Sequence, residues 1–121
     1  MTRTIKFRAW DTEKKVMVDW ERIKTDASPL FLEGGSIHKI MQYTNLKDKN
    51  GVEIYEGDIL TKNPRYKYKV IYRDEWGKYV LQALFWSEKE DRERPIYLAI
   101  MQCPRMEVIG NIYETPELLK Q

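Results

Sequence analysis

The sequence predicts a mainly β protein whose C-terminal half forms a small barrel. Short runs that alternate apolar and polar residues recur along the chain, and turn residues such as Asn50-Gly51 separate them. Alternation of this kind is typical of strands that bury one face. Between residues 57 and 113 the pattern gives four or five short antiparallel strands. Closing such a set into a barrel removes exposed sheet edges.

The N-terminal third of the chain contains three predicted strands. Residues 5–10 and 15–20 alternate, and a polar four-residue connection between them suits a hairpin. Residues 22–35 lose the alternation and contain proline and glycine, so we predict a loop or lobe boundary, with a short turn of helix as the alternative. Residues 37–43 alternate again and form the third strand.

The C-terminal half is built around a second predicted hairpin. Residues 66–73 and 79–86 alternate, and the latter run is apolar on both faces, which indicates a central strand. Residues 96–101 are predicted as a further strand that ends at Cys103-Pro104. A last strand covers residues 108–113, and residues 115–119 begin Thr-Pro-Glu, which favours a short helical turn.

Length and composition suggest a single domain, 1–121, with an N-terminal β region (1–50) and a barrel lobe (51–121). The 121 residues have a formal net charge of +2, so bulk charge does not indicate nucleic-acid binding. No apolar run is long enough for a membrane span and no secretory signal is visible. One cysteine excludes an internal disulfide framework and a thiolate zinc site. We therefore expect a cytoplasmic protein without a membrane or cofactor.

Four segments resemble the YopX family of small proteins encoded by bacteriophages and prophages. They are IKFRAWD (5–11), MQYTNLKDKNG (41–51), IYEGDI (54–59) and VIGNIYETPELL (108–119). Asn45 stands where the family usually has glycine and Thr115 where it usually has asparagine; asparagine also adopts a left-handed backbone, so the turn should survive. The resemblance implies an SH3-like barrel in the C-terminal part, self-association and a setting in a bacterial host cell. It implies no reaction.

The residues that could carry catalysis or bind a metal do not form a recognised motif. Cys103 and His38 are the only thiol and the only imidazole, and no small-residue elbow or helix start follows Cys103. We predict an inert, partly buried thiol and no enzyme activity. Acidic residues surround the Asn50-Gly51 turn, and we interpret them as turn residues that accept backbone N–H groups, with a hard-cation site as the alternative: Asp48, Glu53, Glu56 and Asp58.

A basic and aromatic segment is the candidate nucleic-acid site. Cations suit phosphates and aromatic rings suit unstacked bases. In residues 64–73 the cations Arg65, Lys67, Lys69 and Arg73 are interleaved with Tyr66, Tyr68 and Tyr72. Strand alternation weakens this hypothesis, because the tyrosines would face the core while the lysines on the opposite face protect an exposed edge.

Tryptophan is the last functional clue. Of the four tryptophans in the chain, Trp10 and Trp76 lie at strand or turn ends. If their rings are exposed, they favour a protein interface; if they are buried, they would cover the barrel mouth. We therefore predict a non-catalytic phage or prophage accessory protein that acts as a protein-interaction module and self-associates. Its partner is a second copy or an unidentified phage or host protein. The alternative is a nucleic-acid-binding small barrel that uses residues 64–73.

Overall fold

The computed structural model describes residues 3–26, 38–63, 66–84 and 97–119. It confirms the mainly β class, since just over half of these residues lie in strands. The elements are β1 (Phe7–Asp11), β2 (Val16–Val18), α1 (Trp20–Asp26), β3 (His38–Lys47), β4 (Glu53–Tyr55), β5 (Asp58–Asn63), β6 (Tyr66–Arg73), β7 (Lys78–Ala83), β8 (Tyr97–Ala99) and β9 (Glu107–Asn111). Two 3-10 helices cover Ile100–Arg105 and Pro116–Leu119, the latter confirming the predicted helical turn.

The first sheet is antiparallel, with the strand order β2-β1-β3-β4. Its β1–β2 hairpin is the predicted one, and the Asp11 carboxylate holds the turn by accepting the N–H groups of residues 13 and 14. The expectation that Trp20 lies on a strand is wrong, because α1 begins there. Asp19 caps this helix: its side chain accepts the N–H of Arg22 at 2.9 Å.

The second sheet is also antiparallel, with the order β8-β7-β6-β5-β9, and it curls into a half-barrel. β6 is the third of these five strands and hydrogen-bonds to both β5 and β7. The expectation that its lysines protect an exposed edge is therefore wrong. Among the described strands β8 and β9 lie at the two ends of the order, and the SH3-like closure stays a prediction.

The strand expected over residues 96–101 is shorter than predicted. Its described part, β8, ends at Ala99, and Ile100 begins a 3-10 helix that contains Pro104. This helix places Cys103 in the core, and the N–H of Met106 donates to the Cys103 carbonyl at 3.0 Å. An apolar run of six residues is compatible with a strand or a helix, and its pattern alone does not separate the two.

The main hydrophobic core joins the two sheets. It contains six buried side chains: Ile54, Leu60, Val70, Leu81, Cys103 and Met106. Ile54 belongs to β4 of the first sheet, whereas Leu60, Val70 and Leu81 belong to the second. The first sheet thus extends past residue 50 and contributes to the core of the second. A smaller cluster of Ala9, Val18 and Ile23 packs α1 on β1 and β2.

None of the helices in the described ranges is long and apolar enough to cross a membrane.

Candidate functional site

The tip of the β6–β7 hairpin carries a cluster of aromatic and cationic side chains. We call Tyr72, Arg73, Trp76, Lys78 and Tyr97 the hairpin-tip surface. Residues 74–77 form the turn: the N–H groups of Trp76 and Gly77 both donate to the Arg73 carbonyl, at 3.1 and 2.8 Å. Gly77 adopts a left-handed backbone, with φ of +61°. The sequence Asp-Glu-Trp-Gly therefore closes the hairpin with the indole at its end.

Arg73 organises the aromatic rings of the hairpin-tip surface. Its guanidinium lies 5.1 Å from the Trp76 ring and 5.0 Å from the Tyr97 ring. Nη1 donates to the Tyr97 hydroxyl at 3.0 Å, and Nε lies 3.1 Å from Glu75 Oε2. Trp76 and Tyr97 meet edge to face, with centroids 5.4 Å apart. These contacts hold the indole in place before any partner arrives.

The hairpin-tip surface is ordered but open to solvent. Trp76 is 49% exposed and Tyr72 is 43% exposed. Tyr72 packs edge to face on Tyr79, with ring centroids 5.0 Å apart. Tryptophan, tyrosine and arginine are the residues that dominate binding energy in protein interfaces. The surface has the composition of an interface centre, and its indole already contacts Arg73 and Tyr97.

Trp10 does not share this exposure. Its ring is only 8% exposed and stacks on Tyr113, with centroids 6.2 Å apart and planes 14° from parallel. The expectation of an exposed ring at this position is wrong, because Tyr113 covers the end of β1. Trp10 is a buried ring of the first sheet, whereas Trp76 keeps the exposed ring expected of an interface.

The predicted nucleic-acid site is only partly assembled. Lys67, Lys69 and Arg73 alternate on one face of β6, but Arg73 is engaged with the hairpin-tip rings. Arg65 lies outside the described residues. The expectation that the tyrosines fill the core fails at Tyr66, 48% exposed, and at Tyr72, because the ends of β6 extend past the core. Tyr68, near the middle, packs on the core as expected.

Two acids near the Asn50-Gly51 turn act as backbone acceptors, as predicted. Burial favours the neutral acid form of Asp48, but three backbone N–H groups, from Asn50, Val52 and Val108, outweigh it and hold its pKa below the usual range. Asp58 accepts the N–H of Tyr55 at 2.8 Å. Within the described ranges, no group of three or more His, Cys, Asp or Glu side chains has the arrangement of a metal site.

The single thiol and the single imidazole have different surroundings. Cys103 is fully buried in the main core, and this burial raises the pKa of its thiol to about 11. A neutral thiol is a poor nucleophile. His38 lies on β3 with its Nε2 3.6 Å from Oδ2 of Asp11, which also holds the β1–β2 turn.

A cleft between the two sheets was not predicted from the sequence. It is open to solvent and has a volume of about 610 Å³, and its lining comes from both sheets and the first 3-10 helix: Arg3, Phe7, Ile40, Gln42, Thr44, Glu56, Tyr72, Gly77, Lys78, Tyr79 and Ile100. Inside it, the Tyr79 hydroxyl donates to Gln42 Oε1 at 3.1 Å. Burial, with the nearby Glu56 and Tyr72, raises the pKa of Tyr79 to about 12, so this hydroxyl stays a donor. No local motif signals the cleft, because its residues are distant in sequence.

The family model described as YopX protein matches residues 24–120. The chain belongs to the YopX family. A solved structure, the crystal structure of protein EF1440 from Enterococcus faecalis, is 30% identical to this YopX-family chain. The similarity covers 98% of this chain and 100% of that chain, with a TM-score of 0.62. No curated protein matches.

Two positions where this YopX-family chain differs from the usual pattern keep the local geometry. Asn45 adopts a left-handed backbone, with φ of +69°, as predicted for a residue in the place of glycine. Its side chain also ties down the N-terminal segment by bonding the backbone N–H and C=O of Thr4. The Thr115 hydroxyl accepts the N–H of Asn111 at 2.9 Å, which closes the turn before the last 3-10 helix.

Proposed function

We propose that this chain is a non-catalytic protein-interaction module that self-associates through the hairpin-tip surface. The observation that carries the proposal is the Trp76 ring, which is half-exposed and yet held by Arg73 and Tyr97. An exposed ring of this size is favourable to bury, at roughly 25 cal/mol per Å². Because the ring is already ordered, its burial costs little side-chain entropy.

The charges of the hairpin tip support a second copy as the partner. Asp74 and Glu75 are exposed in the turn, directly between the cations Arg73 and Lys78. In a two-fold dimer the same patch of both copies meets itself. Such an arrangement can place the acids of one copy against the cations of the other, with the two indoles at the centre. Complementary charge of this kind fixes orientation and register.

The setting we propose is the cytoplasm of a bacterial cell that carries the phage or prophage. The phage or prophage origin is what the resemblance of the sequence segments implies, and the free thiol of Cys103 suits a reducing compartment. The absence of catalysis is supported by the neutral state of this buried thiol.

Light scattering and equilibrium sedimentation test the proposed self-association. We expect the wild-type chain to show a concentration-dependent mass above 14.6 kDa. Trp76→Ala should weaken the association constant by about thirtyfold, since a central tryptophan contributes about 2 kcal/mol or more. Tyr66→Ala is the matched control, because Tyr66 is equally exposed but lies at the opposite end of β6. A strict monomer, or equal weakening by both variants, would refute the proposal.

An alternative function is nucleic-acid binding through β6. The observation that favours it is the alignment of Lys67, Lys69 and Arg73 on one face of the strand. Such a row can follow a phosphate backbone. Single-stranded DNA or RNA binding at low salt should then weaken when these three residues and Arg65 are changed to serine. Changing the exposed Lys14 and Lys15 provides the control. Unaltered binding in the serine variant excludes this alternative.

A further inference from the structure

The cleft between the two sheets lies beside the hairpin-tip surface, with which it shares Tyr72 and Lys78, and its size and chemistry suit a small molecule. Its volume of about 610 Å³ lies within the range of roughly 300–1,000 Å³ that is typical of small-ligand sites. One wall comes from the first sheet and the other from β6, β7 and the first 3-10 helix. A ligand in this position would contact both sheets.

The apolar part of the lining offers flat surfaces. Phe7 and Ile40 contribute from the first sheet, and Ile100 contributes from the 3-10 helix. Tyr72 and Tyr79 line the second wall as an edge-to-face pair. Aromatic and branched side chains can pack against a planar ring, and a base stacked on an aromatic side chain gains about 1–3 kcal/mol.

The polar part of the lining presents a donor beside an acceptor. Gln42 receives the Tyr79 hydroxyl on its oxygen, which leaves its amide N–H₂ to donate. The Glu56 carboxylate is half-buried and has no hydrogen bond or ion pair with another described side chain. The backbone N–H of Glu56 donates to the backbone carbonyl of Gln42 at 2.9 Å. The two side chains therefore extend from neighbouring backbone positions. A ligand donor at this carboxylate would take the place of solvent and form a charge-assisted hydrogen bond.

Two cations complete the lining. Arg3 and Lys78 both line the cleft, and both side chains are exposed. They favour an anionic group on the ligand. The ligand that matches all three parts has a flat ring, an edge with a donor next to an acceptor, and an anion.

We propose that the cleft binds a mononucleotide, with the base between the sheets against Gln42 and Glu56 and the phosphate at Arg3 and Lys78. Every nucleobase presents a donor next to an acceptor on its pairing edge, which matches the neighbouring carboxylate and amide. An aromatic amino acid also has a ring and an anion, but its ammonium has no acceptor for the Gln42 amide. The nucleotide therefore uses both polar groups, whereas the amino acid uses one.

Calorimetric titration of the full chain with AMP, GMP, CMP and UMP tests this proposal. The titrations use the Trp76→Ala background, in which the proposed self-association is weakened, so that failure of one proposal does not mask the other. Lys78→Ala should weaken nucleotide binding about tenfold or more, as expected for a lost charge-assisted bond. It should leave binding of the matching nucleoside unchanged. Glu56→Gln should weaken binding of both, and a cooperative thermal transition at a midpoint no lower than that of the Trp76→Ala parent shows that each variant is folded.

Comparison ligands separate the base from the phosphate. Inorganic phosphate alone and phenylalanine should bind more weakly than at least one of the four nucleotides. Three results would overturn the proposal: no nucleotide binding up to about millimolar concentration, phosphate binding as tightly as every nucleotide, or phenylalanine binding more tightly than all four. Nucleotide binding that is unaffected by both Lys78→Ala and Glu56→Gln would also place the site elsewhere.

Discussion

The buried ion pair between Arg8 and Asp58 joins the two sheets, and its removal makes a sharp prediction. Arg8 lies on β1 of the first sheet and Asp58 begins β5 of the second. The side chain of Asp58 is 1% exposed and that of Arg8 is 15% exposed. The Arg8 guanidinium also lies 4.6 Å from the centre of the Tyr55 ring. We expect Arg8→Met to destabilise the fold strongly, because it leaves the carboxylate buried without its cation.

The magnitude follows from the burial. Breaking a buried pair by removing one partner costs about 3–5 kcal/mol, which is a large part of a typical unfolding free energy of about 5–15 kcal/mol. Burial raises the pKa of Asp58, and the charge of Arg8 opposes that rise. Without Arg8 the pKa rises further, so the folded variant binds a proton more tightly than the unfolded chain. Part of the lost stability should therefore return as the pH falls from about 7 towards 5.

Denaturant unfolding followed by tryptophan fluorescence measures this effect. Asp58→Asn in the Arg8→Met background should recover most of the loss at neutral pH, since the uncompensated charge is gone. Lys6→Met is the matched control: Lys6 pairs with Glu53 at a more exposed place, and such pairs contribute about 0–1 kcal/mol. A loss below about 1 kcal/mol for Arg8→Met, or simple additivity of the two substitutions, would refute this reasoning.

Three further predictions concern single residues. Burial, together with the charge of Asp74, raises the pKa of Glu56 above 4.5. The unfolding free energy of the wild-type chain should therefore fall as the pH rises through that raised pKa, and unfolding titrations of Glu56→Gln should show no such fall. Gly110→Ala would place a Cβ 2.1 Å from Thr115 Oγ1, and the thermal midpoint should drop by an amount equivalent to about 1–3 kcal/mol; an unchanged midpoint contradicts this contact. The Cys103 thiol, with its pKa raised to about 11 by burial, should resist alkylation in the native protein and react fully in denaturant, as mass spectrometry can show; rapid native labelling would argue against its burial.

The sequence predicts those parts of the fold that depend on neighbouring residues. Alternation and turn residues gave the β1–β2 and β6–β7 hairpins, because both the facing pattern and the closing turn are local. The central position of β6 in its sheet could not be predicted. It depends on the pairing of β6 with β5 and on the pairing of β5 with β9, which is distant in sequence. Trp20 was misplaced because a hydrophobic residue after a strand fits a longer strand as well as a capped helix.

The candidate site likewise has features that the local sequence predicts and features that depend on residues distant in the chain. The exposed Trp76 could be predicted, because an indole in a four-residue turn has few neighbours to cover it. Trp10 could not, since its cover is Tyr113, more than a hundred positions later in the chain. The cleft depends on side chains from residue 3 to residue 100, and no local pattern contains its geometry.

Self-association through the hairpin tip is tested most directly by nuclear magnetic resonance at increasing protein concentration. We predict that the shifts move progressively for the indole N–H of Trp76 and for the backbone of residues 72–78 and 97, while those of α1 stay fixed. In a sample that mixes labelled and unlabelled copies, contacts between copies should start from the Trp76 ring. Shifts that do not change with concentration, or changes centred on another surface, would contradict the proposed function.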